Sequence, residues 1–367
     1  MATTRPTVEI MKLPLIVARD LEERFLRDGW PIGRNYGGEA ELAAHYGAGR
    51  DVMREALRIL EARDEIQVRR GPRGGVVVAE PDGAHLQLML GGYAHLTGLG
   101  PAEIVEAWGT LHVTAVRVIG CRGSGTGRSD GMGTSDAAAL LRRFGAGLLE
   151  RSGGLLTYLS EVMEPVLPSL DVTLSAASVD EAWRQILDDL GQGRTEDAVR
   201  RTRALFGAVV APARSRPALP GLGDRIRIPA FGIVRRLMSE IEPDEWVQGR
   251  LLGNEYELAE RYSADRSVIR QGIRIMEDAE TAVMRPGRGR GLTTRRPSSA
   301  PLSRQLCVHL AAKGAPGDEA SVVVRELLIE IAELARTRSA HNALLQLFAD
   351  GVEAHLAWSV GEERAAP

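Results

Sequence analysis

The chain has 367 residues, with 44% hydrophobic and 26% charged side chains, enough apolar material for two or three domains with proper cores. Forty-six basic residues against 49 acidic ones leave a formal net charge of −3, so bulk charge announces no nucleic-acid partner and any such case rests on where the charges sit. No run of 18 apolar residues excludes an obvious membrane helix, and Cys121 and Cys307 stand far apart without CxxC spacing or a histidine cluster, against both a disulfide framework and a zinc site.

The amino-terminal MATTRPTVEIMKLPL has no apolar stretch of signal-peptide type, so a soluble, cytoplasmic protein is expected. Val17, Leu21 and Phe25 then follow at helical spacing and predict a first helix. Leu42, Ala43 and Tyr46 mark a short second helix, and Gly47-Ala48-Gly49 a tight turn into a third. In the third helix Met53, Ala56, Leu57 and Leu60 face a core, whereas Arg50, Arg54 and Arg58 fall at i, i+4, i+8 on an exposed stripe. A β-hairpin follows, Ile66–Arg70 and Gly75–Val78 around Gly71-Pro72-Arg73-Gly74.

This layout recurs. ELAAHYGAGRDVMREALRILE, from Glu41, is matched without a gap by ELAERYSADRSVIRQGIRIME, from Glu257, an offset of 216. Trp30, Gly33, Arg34, Gly37 and Glu39 recur as Trp246, Gly249, Arg250, Gly253 and Glu255, and Arg69, Gly71 and Gly75 as Arg285, Gly287 and Gly291. Self-similarity in fixed register over some sixty residues reads as a duplication. Ile233, Leu237 and Ile241 give the second copy its first helix, and Arg266, Arg270 and Arg274 its arginine stripe. Gly49 and Asp265 are acceptable N-caps for the two third helices. The second hairpin comprises Val283-Met284-Arg285 and Leu292-Thr293-Thr294, with Arg288 in its turn.

A helix lying in the major groove needs long donors on one face near its N-terminal end. One arginine stripe alone reads equally as a solvated face. Two at identical positions, each preceding a hairpin tipped with arginine and glycine, favour a nucleic-acid surface. The tips, Arg70-Gly71-Pro72-Arg73 and Arg285-Pro286-Gly287-Arg288, suit phosphate or minor-groove contact, because glycine admits close backbone approach and arginine brings charge.

These residues resemble the DNA-binding head of the GntR family of bacterial regulators, in both copies. The resemblance implies a winged helix-turn-helix, base-reading roles for Arg50, Arg54, Arg266 and Arg270, and wing-tip contacts at Arg70, Gly71, Pro286 and Gly287. The chain departs from the family at Ala40 and Tyr256, where a basic residue is usual. It also departs at Gly49 and Asp265, where Ser or Thr is usual, and at Tyr36-Gly37-Gly38 in place of Leu-Pro-Ser. The family's usual operator is therefore not carried over. Residues 100–210 resemble, more weakly, the helical effector and dimerisation domain of the FadR branch. That branch's metal ligands fall here on Leu141, Gly145, Trp183 and Leu205, none of which binds metal. His85, His95 and His112 are scattered and read as helix-surface or core residues; Arg117 could meet an anionic ligand or form a plain salt bridge.

The expected fold is mainly α with small β-wings. It comprises a winged helix-turn-helix over 10–80, a helical effector-like region over 84–212, a linker over 213–228, a second winged helix-turn-helix over 229–296 and a truncated helical region over 301–360. The expected function is a transcription regulator, in the common family mode a repressor. Its two heads act as a pseudo-dimer on double-stranded DNA with two unequal half-sites, as a monomer or homodimer, without cofactor or metal; the first helical region either binds an apolar or amphipathic small-molecule effector or only holds the heads together. The alternative is a protein-interaction scaffold derived from such a regulator. No enzyme is expected: GSGTG at 123–127 lacks the GK[ST] of a phosphate-binding loop, and no HExxH, GxSxG or paired-carboxylate constellation stands in a supporting context.

Overall fold

The computed structural model describes residues 12–71, 74–81, 83–123, 136–168, 170–210, 229–285, 287, 290–337 and 342–365. It is mainly helical with three small sheets, and the chain divides between His85 and Leu86 into two compact units.

The first unit opens with α1 (Leu13–Arg27), which carries Pro14 in its first turn, where no helical N–H bond is lost. Leu15, Val17, Ala18, Leu21 and Phe25 bury one face of it. α2 (Glu39–His45) begins with Glu41 accepting the Gly38 N–H at 2.8 Å, and α3 (Arg50–Ala62) buries Met53, Ala56, Leu57 and Leu60, the expected face. β1 (Ile66–Arg69) and β2 (Gly75–Val78) pair antiparallel in the register Ile66↔Val78, and a single bridge joins Asn35 to Val77. Trp30 locks the end of α1 to the hairpin, its indole N–H donating to the Ala79 carbonyl at 2.9 Å. Beneath α1 and α3 lies a fully buried ionic group: Arg63 pairs with Glu22 and, at 3.4 Å, with Glu65.

α4 (Ala84–Thr97) runs from the end of the first unit into the second. There it is followed by α5 (Pro101–Arg122), α6 (Ala137–Ser152), α7 (Gly154–Met163), α8 (Ala176–Gly191) and α9 (Thr195–Gly207). α5 is buried over most of its length and is the axis on which α6 and α9 pack. The Thr110 and Thr114 hydroxyls on this helix donate to the carbonyls four residues back, at 2.8 and 2.9 Å, so they enter the core with their donors satisfied. A two-residue strand pair, β3 (Asp171–Val172) with β4 (Val209–Val210), interrupts the helices expected over 84–212.

The unit continues with α10 (Pro229–Glu240), the five-residue α11 (Pro243–Val247), β5 (Leu251–Gly253), α12 (Glu255–Tyr262), α13 (Arg266–Asp278), β6 (Ala282–Met284) and β7 (Leu292–Thr294). α13 spans the positions of α3 displaced by 216, and the β5–β7 pairing Leu251↔Thr293 is the Asn35↔Val77 bridge displaced by the same number. In the second unit that bridge has grown into a third strand, giving the sheet order β5-β7-β6. The left-handed residue before the third helix is Gly47 in one case (φ +58°) and Ser263 in the other (φ +48°), so the turn persists where the glycine does not.

α14 (Ala300–Ala312), α15 (Gly317–Thr337) and α16 (Ala343–Ala365) complete the chain. α14 and α15 begin 216 positions after α4 and α5. α15 lies against α5, and one apolar core contains side chains from Leu86 to Val209 together with side chains from Leu302 to Val352.

Candidate nucleic-acid interface

Each third helix presents arginine where its N-terminus meets solvent. Arg50 is the first residue of α3 and is exposed, as is Arg58 two turns on. Arg54, between them, donates to Glu39 at the start of α2 at 3.0 Å and reaches Asp51 at 3.5 Å, with half of its side chain still open to solvent. In the second unit Arg270 donates to Glu255 at the start of α12, also at 3.0 Å. The hydrogen bond from Arg270, with the charges of Arg266 and Arg274 nearby, holds the Glu255 carboxyl below its ordinary range despite partial burial. In both units a carboxylate on the preceding helix therefore steers the middle arginine without covering it.

Arg266 differs from Arg50 in its surroundings. Its guanidinium lies over the Tyr256 ring, 3.9 Å from the centroid, and 3.7 Å from Glu255. Arg274 departs from the expected open stripe: it is largely buried and paired with Glu277. The other oxygen of Glu277 accepts the Met284 N–H at 2.8 Å, which anchors the carboxylate beside α13 and draws Arg274 towards the hairpin. In the first unit Glu61 accepts the Val68 N–H at a looser 3.3 Å, burial raises its carboxyl pKa, and Arg58 stays exposed.

The hairpin tips share a backbone form. Gly71 and Gly287 sit at φ +108° and +124°, where a side chain would strain the turn, and each accepts the N–H three residues on, from Gly74 and Arg290. Arg70, Gly71, Arg285 and Gly287 are exposed. Arg73 and Arg288, with Pro72 and Pro286, lie outside the described residues.

The four positions at which the sequence resemblance would put metal ligands, 141, 145, 183 and 205, are filled with apolar packing. Leu141 and Leu205 are buried, and Trp183 stacks on Phe144 at 4.8 Å between ring centres. Gly145 faces His112 so closely that a Cβ there would come within 2.4 Å of Nε2. His112 is itself core: it stacks on Phe206, its Nδ1 is 2.7 Å from the Trp108 carbonyl, and burial lowers its pKa to about 4. His85 and His95 are also buried. Among the described residues no three His, Cys, Asp or Glu side chains gather as a metal group, and no helix is long and apolar enough to cross a membrane.

Arg117 takes the salt-bridge alternative, pairing with Glu196 at 2.7 Å and with the buried Glu330 at 2.5 Å. Beside it opens a cavity of about 480 Å³ walled by α5, α9 and α15, with Val105, Thr110, Arg203 and Phe206 in its lining. One wall thus comes from the carboxy-terminal helices, outside the 100–210 range expected for an effector pocket. Sequence reasoning overlooked the arginine-steering residues Glu39, Glu255 and Tyr256. Glu39 and Glu255 were visible as a matched pair in the repeat, and Tyr256 as a departure from the family pattern.

No family model matches the chain, and no curated protein sequence matches it. Among solved structures a GntR from Streptococcus agalactiae is similar over 53% of this chain and 97% of its own, at 19% identity and a TM-score of 0.27.

Proposed function

We propose that the chain is a sequence-specific DNA-binding transcription regulator, a repressor in its commonest mode of action. It carries two tandem winged helix-turn-helix heads, of the kind found in GntR regulators, derived from an internal duplication. The heads are residues 10–80 and 229–296. Arg50, Arg54, Arg266 and Arg270 read base edges, while Arg58 and the hairpin-tip residues Arg70, Gly71, Arg73, Arg285, Gly287 and Arg288 engage phosphate or the minor groove.

One observation carries the reading. The arginine at the fifth position of the third helix is steered by a carboxylate from the preceding helix at 3.0 Å in both units, Arg54 by Glu39 and Arg270 by Glu255, ahead of hairpins with the same glycine turn. A solvated stripe has no need of matched steering. A donor that must meet a base edge at fixed azimuth does, because orientation held in advance lowers the ordering cost of binding.

The heads act as a pseudo-dimer within one chain. The packing of α15 on α5, displaced copies of one another in sequence position, supports this: a dimer contact is here satisfied in cis. The partner is double-stranded DNA with two unequal half-sites, since Gly49-Arg50-Asp51 faces Asp265-Arg266-Ser267. The cavity at α5, α9 and α15 is the place for a small-molecule effector. Selecting bound sequences from a random DNA pool tests the proposal. Two related half-sites at one spacing are expected, with affinity that falls steeply as salt rises. Salt-independent binding or none would leave the interaction-scaffold reading.

A further inference from the structure

The two heads differ most at their second helices. Tyr256 is 65% exposed, more than any other large hydrophobic side chain among the described residues, yet its ring carries the Arg266 guanidinium at 3.9 Å. Its backbone is held as well, because the Asn254 side chain caps α12 by accepting the Tyr256 N–H at 2.9 Å. Glu255 then lies 3.7 Å from Arg266 and 3.0 Å from Arg270, so Tyr256, Arg266, Glu255 and Arg270 form one continuous row. In the first head the equivalent positions are Gly38, with no side chain to cap the helix, and Ala40, with no ring to offer; Arg50 stands exposed at the start of α3.

A guanidinium held over an aromatic face still has N–H donors to offer, and it loses the torsional freedom that would let it wander to a phosphate. A fork fixed in this way matches the O6 and N7 acceptors of guanine in the major groove. We infer that Tyr256 is a specificity-determining positioning residue: it presents Arg266 as a guanine reader in the second half-site, while Arg50 serves the first half-site as a mobile donor. The inference rests on the DNA-reading proposal above and gives the inequality of the half-sites a physical origin.

The test uses the full chain, the selected duplex, and duplexes in which single guanines of either half-site are replaced, with affinities measured at one salt concentration. Arg266→Ala identifies the guanine that Arg266 reads. Tyr256→Ala should lower the preference for that guanine about three- to fivefold, the size of an exposed cation–π contact, and leave binding to mixed-sequence DNA unchanged. Tyr256→Phe, which keeps the ring, should keep the preference. Ala40→Tyr should raise discrimination in the first half-site. An unchanged preference in Tyr256→Ala, with discrimination lost in Arg270→Ala, overturns the role of Tyr256 while DNA reading stands. A second half-site with no guanine sensitive to Arg266→Ala overturns it also. If the parent chain binds no duplex in a salt-dependent manner, the DNA-reading proposal falls and this inference falls with it.

Discussion

Arg54 and Arg270 share a steering carboxylate but not a second neighbour. Asp51, almost fully exposed, lies 3.5 Å from Arg54, and its place is taken by Ser267 in the second head. A carboxylate beside a base-reading donor repels the phosphates flanking the groove, so Asp51→Ser should strengthen binding to the first half-site by a few tenths of a kcal/mol to about 1 kcal/mol, more at low salt. Arg54→Ala and Arg270→Ala should each cost about 1–3 kcal/mol of discrimination in their own half-site. Titrations of single-half-site duplexes check all three variants, and equal binding by an alanine variant and the parent would remove that arginine from the reading surface.

His112 allows a pH prediction at the same scale. Burial disfavours its charged form and lowers the folded pKa to about 4, against a value near 6.5 in the unfolded chain. Between those values the unfolded state binds a proton that the folded state refuses. Stability from this group is therefore complete above pH 6.5, erodes as pH falls, and levels off below about pH 4. The total loss is on the order of 3 kcal/mol. Denaturant unfolding at pH 7, 5.5 and 4.5 should show the decline, and His112→Leu should flatten it over that window.

Among elements, the contrast between the cores beneath the two third helices is instructive. The first unit buries Glu22, Arg63 and Glu65 as an ionic group, whereas the positions 216 residues on hold Met238, Ala279 and Thr281. Buried ion pairs add little net stability against apolar packing of similar volume, but removing one partner strands a charge in the interior. Arg63→Ala should accordingly cost about 3–5 kcal/mol, and the triple change Glu22→Met, Arg63→Ala, Glu65→Thr should recover most of it. Thermal unfolding of the two variants separates the outcomes; equal stability would mean that losing Arg63 does not strand the Glu22 and Glu65 charges in the interior.

These elements also mark where sequence reading succeeds. Helical spacing and the 216-residue offset placed the α3 and α13 core faces and the main hairpin strands, because periodicity is a local property of the chain. β5 and the β3–β4 pair escaped, since runs of two or three residues have no period to detect and form only because a distant strand edge is nearby. Arg274 followed the stripe in sequence and left it in space, because Glu277 is anchored by the Met284 N–H across the α13–β6 turn.

For the whole molecule, one chain should occupy one operator. A mass measurement of the complex should give one chain per two half-sites, with both Arg54→Ala and Arg270→Ala weakening it. Two chains on a perfect palindrome, with Arg266 and Arg270 dispensable, would refute the pseudo-dimer. Elemental analysis of protein purified without chelator should find no stoichiometric zinc, nickel or manganese; one metal per chain would refute the apolar assignment of positions 141, 145, 183 and 205.

The amino-acid order by itself determined the repeat, the placement of the arginines on their helices and the glycines of the hairpin turns, since each is written in neighbouring residues. Tertiary structure alone decided which arginines stay exposed, which carboxylates steer Arg54 and Arg270, and that Tyr256 lies beneath Arg266. It also decided that α15 closes on α5 and supplies the third wall of the cavity, through Glu330, 213 residues from Arg117. The physical reason is the same throughout: these contacts join residues ten to more than two hundred positions apart, and their geometry is set by how helices pack, which no local pattern encodes.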